Sequence, residues 1–221
     1  MITLAPDVAA QKTDVRSVFD AGWNAAASKG NMSVANAVRV GSAALAGGRG
    51  ADDVRATFDA GWGAAATKGN ISVDQAVRVG AAALSGRQAS GDVRGVFDAV
   101  WSAAAAHAGT YVTSAVHAGV GALLGSRPAT EVVAAYDAGW RAVARHGGIN
   151  VMQAAAVGAA AVAGSWPVDQ VAAVFDAAWG AAASATGPTL DQVISAGISA
   201  LAGFAAPALQ LDAQRVATDV G

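Results

Sequence analysis

Apolar residues recur along this chain at helical intervals, and the whole pattern returns every 39 residues. Across residues 14–28, Val15, Val18, Phe19, Trp23 and Ala26 share one face, while Ser17, Asn24 and Ser28 form a polar stripe. That is the three-to-four spacing of an amphipathic helix. An aromatic-Asp-x-x-Trp motif marks this helix at Phe19-Asp20 with Trp23 and Phe58-Asp59 with Trp62. It returns at Phe97-Asp98 with Trp101, Tyr136-Asp137 with Trp140, and Phe175-Asp176 with Trp179. No insertion or deletion breaks the spacing. Residues 14–47 and 53–86 are nearly the same text, as a duplication would leave them.

Each unit reads as two helices. Helix A is expected behind a cap at Thr13, Asp52, Gly91, Thr130 or Asp169, because short polar side chains and glycine suit that position. Helix B is expected behind Ser33, Ser72, Tyr111, Asn150 or Thr189, with capping boxes in Ser72/Gln75 and Thr189/Gln192. It ends on a glycine every time, at Gly47, Gly86, Gly125, Gly164 and Gly203, which predicts a left-handed closure. A second glycine sits within helix B at Gly41, Gly80, Gly119, Gly158 and Gly197. Glycine there costs about 0.5–1 kcal/mol relative to alanine. Its recurrence predicts a close helix crossing where a methyl group would clash.

A hairpin of this size cannot bury its apolar face alone, so neighbouring units must stack. The expected architecture is all-α: an α-solenoid of five tandem hairpins, HEAT-like in repeat length. Its boundaries fall at 13–51, 52–90, 91–129, 130–168 and 169–203. Residues 1–12 read as an N-terminal cap segment. Residues 204–221 read as a C-terminal capping helix, amphipathic over Ala208 to Val220 with Leu209, Leu211 and Val216.

Composition narrows the function classes. The chain is 54% hydrophobic, 14% charged and free of cysteine, with a net charge of -2 over 221 residues. That excludes a disulfide scaffold, a cysteine-based metal site and a disordered chain. The first residues lack the basic and long apolar segments of a secretory signal, and no apolar run reaches the roughly 18–20 residues of a membrane span. A cytoplasmic location is favoured.

The recurring polar residues read as structural. Asp20, Asp59, Asp98, Asp137 and Asp176 are expected to form a ladder, accepting hydrogen bonds from an indole N–H or a backbone amide of an adjacent unit. Arg16, Arg55 and Arg94 stand four residues before their aspartates, but Val133 and Ala172 occupy that register later, so arginine is not the whole reason for the acid. Trp23, Trp62, Trp101, Trp140 and Trp179 are read as core anchors beside the preceding aromatic. Lys29, Lys68, His107 and His146 share a register at the end of helix A, where the helix dipole favours a cation. The stretch 47–50 lacks the strand and the lysine ending of a phosphate loop.

No nucleophilic triad, metal-ligand spacing or cofactor motif emerges, so no catalytic, cofactor or metal residues are assigned. Arg39, Arg78 and His117 on helix B, and Trp166 in a linker, are weak candidates for partner contact. That basic stripe ends at Ala156 and Ser195, which disfavours nucleic acid. The expectation is a non-enzymatic scaffold or interaction protein with an unknown protein partner, forming a homo-oligomer. The alternative is a membrane-active protein whose alanine-rich helices insert into lipid.

Overall fold

The computed structural model describes residues 8–107 and 109–203, and their secondary structure is ten α-helices. In chain order they are α1 (Val8–Ala27), α2 (Val34–Ala46), α3 (Ala51–Ala66), α4 (Val73–Ser85) and α5 (Val93–Ala106). They continue as α6 (Val112–Leu124), α7 (Ala129–Ala144), α8 (Val151–Ala163), α9 (Val168–Ala183) and α10 (Leu190–Ala202). These are the A and B helices of five hairpins. The expected capping helix after residue 203 and most of the N-terminal segment lie outside the described residues.

The chain divides into two compact units, residues 1–94 and 95–221. In the first, α1 pairs with α2 and α3 with α4, while α1 packs on α3 and α2 on α4. In the second, α7 pairs with α8 and α9 with α10. There α6 packs on α8, α8 on α10, and α7 on α9. Like therefore stacks on like, which is the packing of helical-hairpin solenoid repeats.

Each hairpin closes on the glycine inside helix B. A methyl group built at Gly41 would meet the Phe19 ring at 2.6 Å, and one at Gly80 would meet Phe58 at 2.6 Å. At Gly158 the same methyl would meet Tyr136 at 2.7 Å, and Gly119 and Gly197 are overlain likewise by Phe97 and Phe175. The expected close crossing is present, and its physical content is a ring lying flat on a bare backbone. A second glycine on helix A tightens it, since a methyl on Gly22 would come within 2.9 Å of the Gly41 Cα. Phe58, Phe97, Tyr136 and Phe175 are wholly buried as a result. Each such ring stabilises its hairpin by about 1.5–3 kcal/mol.

The helix B caps stand where the sequence puts them. Ser33, Ser72, Asn150 and Thr189 accept from the backbone N–H three residues on, while Tyr111 occupies the same position without a side-chain bond. Asn150 and Gln153 form a third capping box beyond the two expected. The helix A caps need correction. Thr13 lies inside α1, α5 begins at Val93, and the cap residues of α3, α7 and α9 are Gly50, Pro128 and Pro167. Extended backbone at the glycine and prolines already aims the chain into the helix, so the turn starts two residues early. The acids at Asp52, Asp53, Glu131 and Asp169 then sit within the first turn, where the dipole favours them.

Gly203 takes the positive φ expected at the end of helix B, at 58°, but the other four glycines there are explained differently. Gly47, Gly86, Gly125 and Gly164 have φ between -75 and -82°, so left-handed backbone is not why they are glycine. A methyl on Gly47 would overlap the carbonyl oxygen of Leu84, and one on Gly164 would overlap that of Leu201. Gly47, Gly125 and Gly164 thus let the linker of one repeat rest directly on the end of helix B in the next. The positive-φ position that recurs in every repeat lies in the turn between helices A and B, at Asn31, Asn70, Gly109, Gly148 and Gly187, while Gly48 beside Gly47 is positive too, at 62°.

Candidate functional site: the joints between repeats

Within each unit, three sets of polar side chains link successive repeats. The first arises where helix A ends. Lys29 Nζ lies 2.7 Å from Asp59 Oδ1 in the next repeat. In the second unit, His107 Nε2 lies 3.0 Å from Asp137 Oδ1, and His146 Nε2 lies 3.3 Å from Asp176 Oδ1. Arg145 adds a bond of 2.8 Å to Asp176. The residues expected to satisfy a helix terminus therefore reach across the joint to these three aspartates, while Arg141 donates to Asp137 Oδ2 at 3.3 Å from Asp137's own helix. The indole N–H or backbone amide expected as donor is replaced by a basic side chain.

The tryptophans complete the same contact. The His107 ring stacks on Trp140 at 4.1 Å with planes 17° apart, and His146 stacks on Trp179 at 3.9 Å and 19°. Trp23, Trp62, Trp101, Trp140 and Trp179 are half-buried rather than central. The preceding Phe or Tyr fills the core, and the indole roofs it. Asp20 is exposed and pairs with Arg16 at 3.5 Å on its own helix, while Asp98 is half-buried.

The second set lies in the linkers. Arg49 donates to the carbonyls of Leu84 at 3.0 Å, Ala83 at 3.1 Å, Gly86 at 3.1 Å and Gln88 at 2.6 Å, and pairs with Asp53 at 2.8 Å. Its guanidinium thereby satisfies carbonyls at the end of the following helix B, which no intrahelical donor can reach. Arg127 donates to the Trp166 carbonyl, and the Trp166 indole donates to Ala200 O at 2.9 Å. Burial draws the Arg127 guanidinium below its ordinary value, with Glu131 opposing that shift.

Arg49, Gln88, Arg127 and Trp166 are successive members of one 39-residue register. Sequence reasoning missed this row because it was indexed on the aromatic-Asp motif, and the residue type changes from charged to amide to aromatic. What stays constant is a long side chain with an N–H at its far end. Spacing alone could have found it.

The third set joins successive B helices. Arg39 donates to Asp74 Oδ1 at 3.0 Å and to Asn36 Oδ1 at 3.1 Å, and Gln153 donates to Asp191 Oδ1 at 2.7 Å. Of the residues marked for partner contact, Arg39 and Trp166 thus hold a neighbouring repeat. Arg78 and His117 are half-buried on helix B.

Among the described residues, Thr57 Oγ1 and the Tyr136 hydroxyl are both buried without a hydrogen-bond partner in the protein. The Tyr136 hydroxyl is sealed in the fourth hairpin, at a register that is Phe elsewhere. Burial, then the neighbouring Asp137, pushes its ionisation well above the ordinary tyrosine value. Among the described residues no group of three or more His, Asp or Glu is placed to hold a metal ion, and no helix is long and apolar enough to cross a membrane. No family model, curated protein or solved structure matches the chain.

Proposed function

We propose that this chain is a non-catalytic helical-repeat scaffold or interaction protein, binding a protein partner, assembling with itself, or both. The carrying observation is the engagement of repeated carboxylates by the preceding repeat, with Lys29 on Asp59, His107 on Asp137 and His146 on Asp176. A carboxylate already engaged by a side chain of the preceding repeat serves packing and is poorly placed to take a proton from a substrate.

The joints leave exposed a set of large apolar side chains where helix B begins. These are Val34 and Val73 in the first unit, and Tyr111, Met152 and Leu190 in the second. Large apolar side chains exposed at the start of helix B in one repeat after another support contact with a protein. The test is affinity capture from native extract followed by hydrogen-exchange mapping of the complex. Protection of the helix B starts by a captured protein supports the scaffold reading.

The same side chains are what a lipid-inserting protein would present, which gives the second reading its basis. Dye release from liposomes separates the two. Intact vesicles fit a scaffold, and leakage overturns it.

A further inference from the structure

In the first joint, Val54, Val77 and Leu84 of repeat two are wholly buried in one cluster with Ala25, Ala26, Val40 and Ala44 of repeat one. In the last joint, Val171, Ile194 and Leu201 of repeat five share a cluster with Ala142, Val143, Val157 and Ala161 of repeat four. A joint therefore has two different halves. The following repeat offers a leading face of branched aliphatics, and the preceding repeat offers a trailing face of alanine and valine.

Each half recurs at a terminal repeat, where its registers are less buried among the described residues. Repeat one carries the leading-face registers as Val15, Val38 and Leu45, which are 54%, 43% and 37% exposed. Repeat five carries the trailing-face registers as Ala181, which is exposed, and Ala182 and Ala196, which are half-buried. Their counterparts in repeats one and four are buried.

We propose that the leading face of repeat one receives the trailing face of repeat five from a second copy of this chain, joining copies head to tail. The proposal rests on the scaffold reading and names its partner. The occupant is argued from the chain's own joints, which show what each half packs against.

The polar side chains agree. Ser195 stands where Arg39 donates to Asp74, and Ala35 stands at the register of Asp74, so the donor and its acceptor are both absent from this junction. No arginine is buried there without its carboxylate, which would be strongly unfavourable. Ala185 stands where Lys29 and His146 reach the next aspartate, and Asp20 opposite keeps Arg16 on its own helix. Because the two patches differ, each addition leaves one of each free and assembly continues.

The test is sedimentation velocity on the full chain over a concentration series, with Leu45→Glu blocking the leading face and Ala181→Arg blocking the trailing face. The wild type should gain mass with concentration beyond a dimer. Each variant alone should self-associate roughly 100-fold more weakly, as a charge buried without a partner requires. An equimolar mixture of the two should form a heterodimer and nothing larger, since one good half survives on each.

A wild type that stays monomeric overturns the joint, as does a mixture that fails to pair. Loss of assembly in Leu45→Glu but not in Ala181→Arg also overturns it, because that marks two leading faces meeting each other. Val38→Glu and Ala182→Arg form a second pair if circular dichroism shows that either first variant loses helix. Any of these failures leaves protein capture, the test of the scaffold reading, to be judged separately.

Discussion

The guanidinium of Arg49 ends on the carbonyl of Leu84, 3.0 Å away and a full repeat further along the chain. With its bonds to Ala83, Gly86 and Gln88, it ties the first linker to the end of α4. Arg49→Ala should lower stability by about 2–3 kcal/mol, because hydrogen bonds to a charged donor are the stronger kind. Arg49→Gln should lose less, since glutamine keeps a terminal N–H donor and is the residue standing at the next position of the same register, Gln88. Urea midpoints of the three proteins check the order.

The two classes of helical glycine should respond oppositely to a methyl group. Gly158→Ala would drive a carbon into the Tyr136 ring and should cost about 1–3 kcal/mol. Gly63→Ala, in the interior of α3 with nothing within 4 Å, should gain about 0.5–1 kcal/mol. Thermal melts should move in opposite directions, and a loss at both would refute the ring-seat account.

Tyr136→Phe should stabilise the protein by about 1 kcal/mol at neutral pH, because it removes a buried hydroxyl with no hydrogen-bond partner in the protein. The benefit should grow in alkali. An unfolded tyrosine ionises near its usual value of about 10. Folded Tyr136 holds its proton to higher pH, because of burial first and Asp137 second. Native stability is therefore intact below about pH 10 and falls as pH rises past it. Melting both proteins between pH 8 and 11 should show the wild-type curve bending down and the variant less so.

A double-mutant cycle on Lys29 and Asp59, each changed to alanine, should return a coupling of about 0.5–1 kcal/mol, weakened by added salt. The pair is half-buried and spans the first joint. A coupling of zero would mean that packing alone holds repeats one and two in register.

The repeat length, the ten helices and the seats of the inner glycines were legible because each rests on a periodicity that survives any change of neighbour. The helix B caps were legible for the same reason, since Ser33 and Thr189 act within four residues of themselves. The joints were legible only by halves. Asp59 and Lys29 were each noticed, but a pair thirty residues apart becomes a pair only when one hairpin is laid on the next. His107 looked like a helix terminator for want of knowing that Trp140 lies beneath it. Gly47 was read through its own backbone angles, whereas its reason is the carbonyl of Leu84 pressed against it. A local reading reaches what a residue does to its own helix and stops short of what it does to the adjacent one.

The direction of these joints bears on how such a chain can grow. Repeat four carries a carboxylate, Asp137, for the neighbour before it and basic groups, Arg145 and His146, for the neighbour after it. A tandem copy of such a module arrives with both couplings already made. Lengthening by duplication thus needs no compensating substitution at the seam, and the near-identical text of residues 14–47 and 53–86 is what one such event leaves behind.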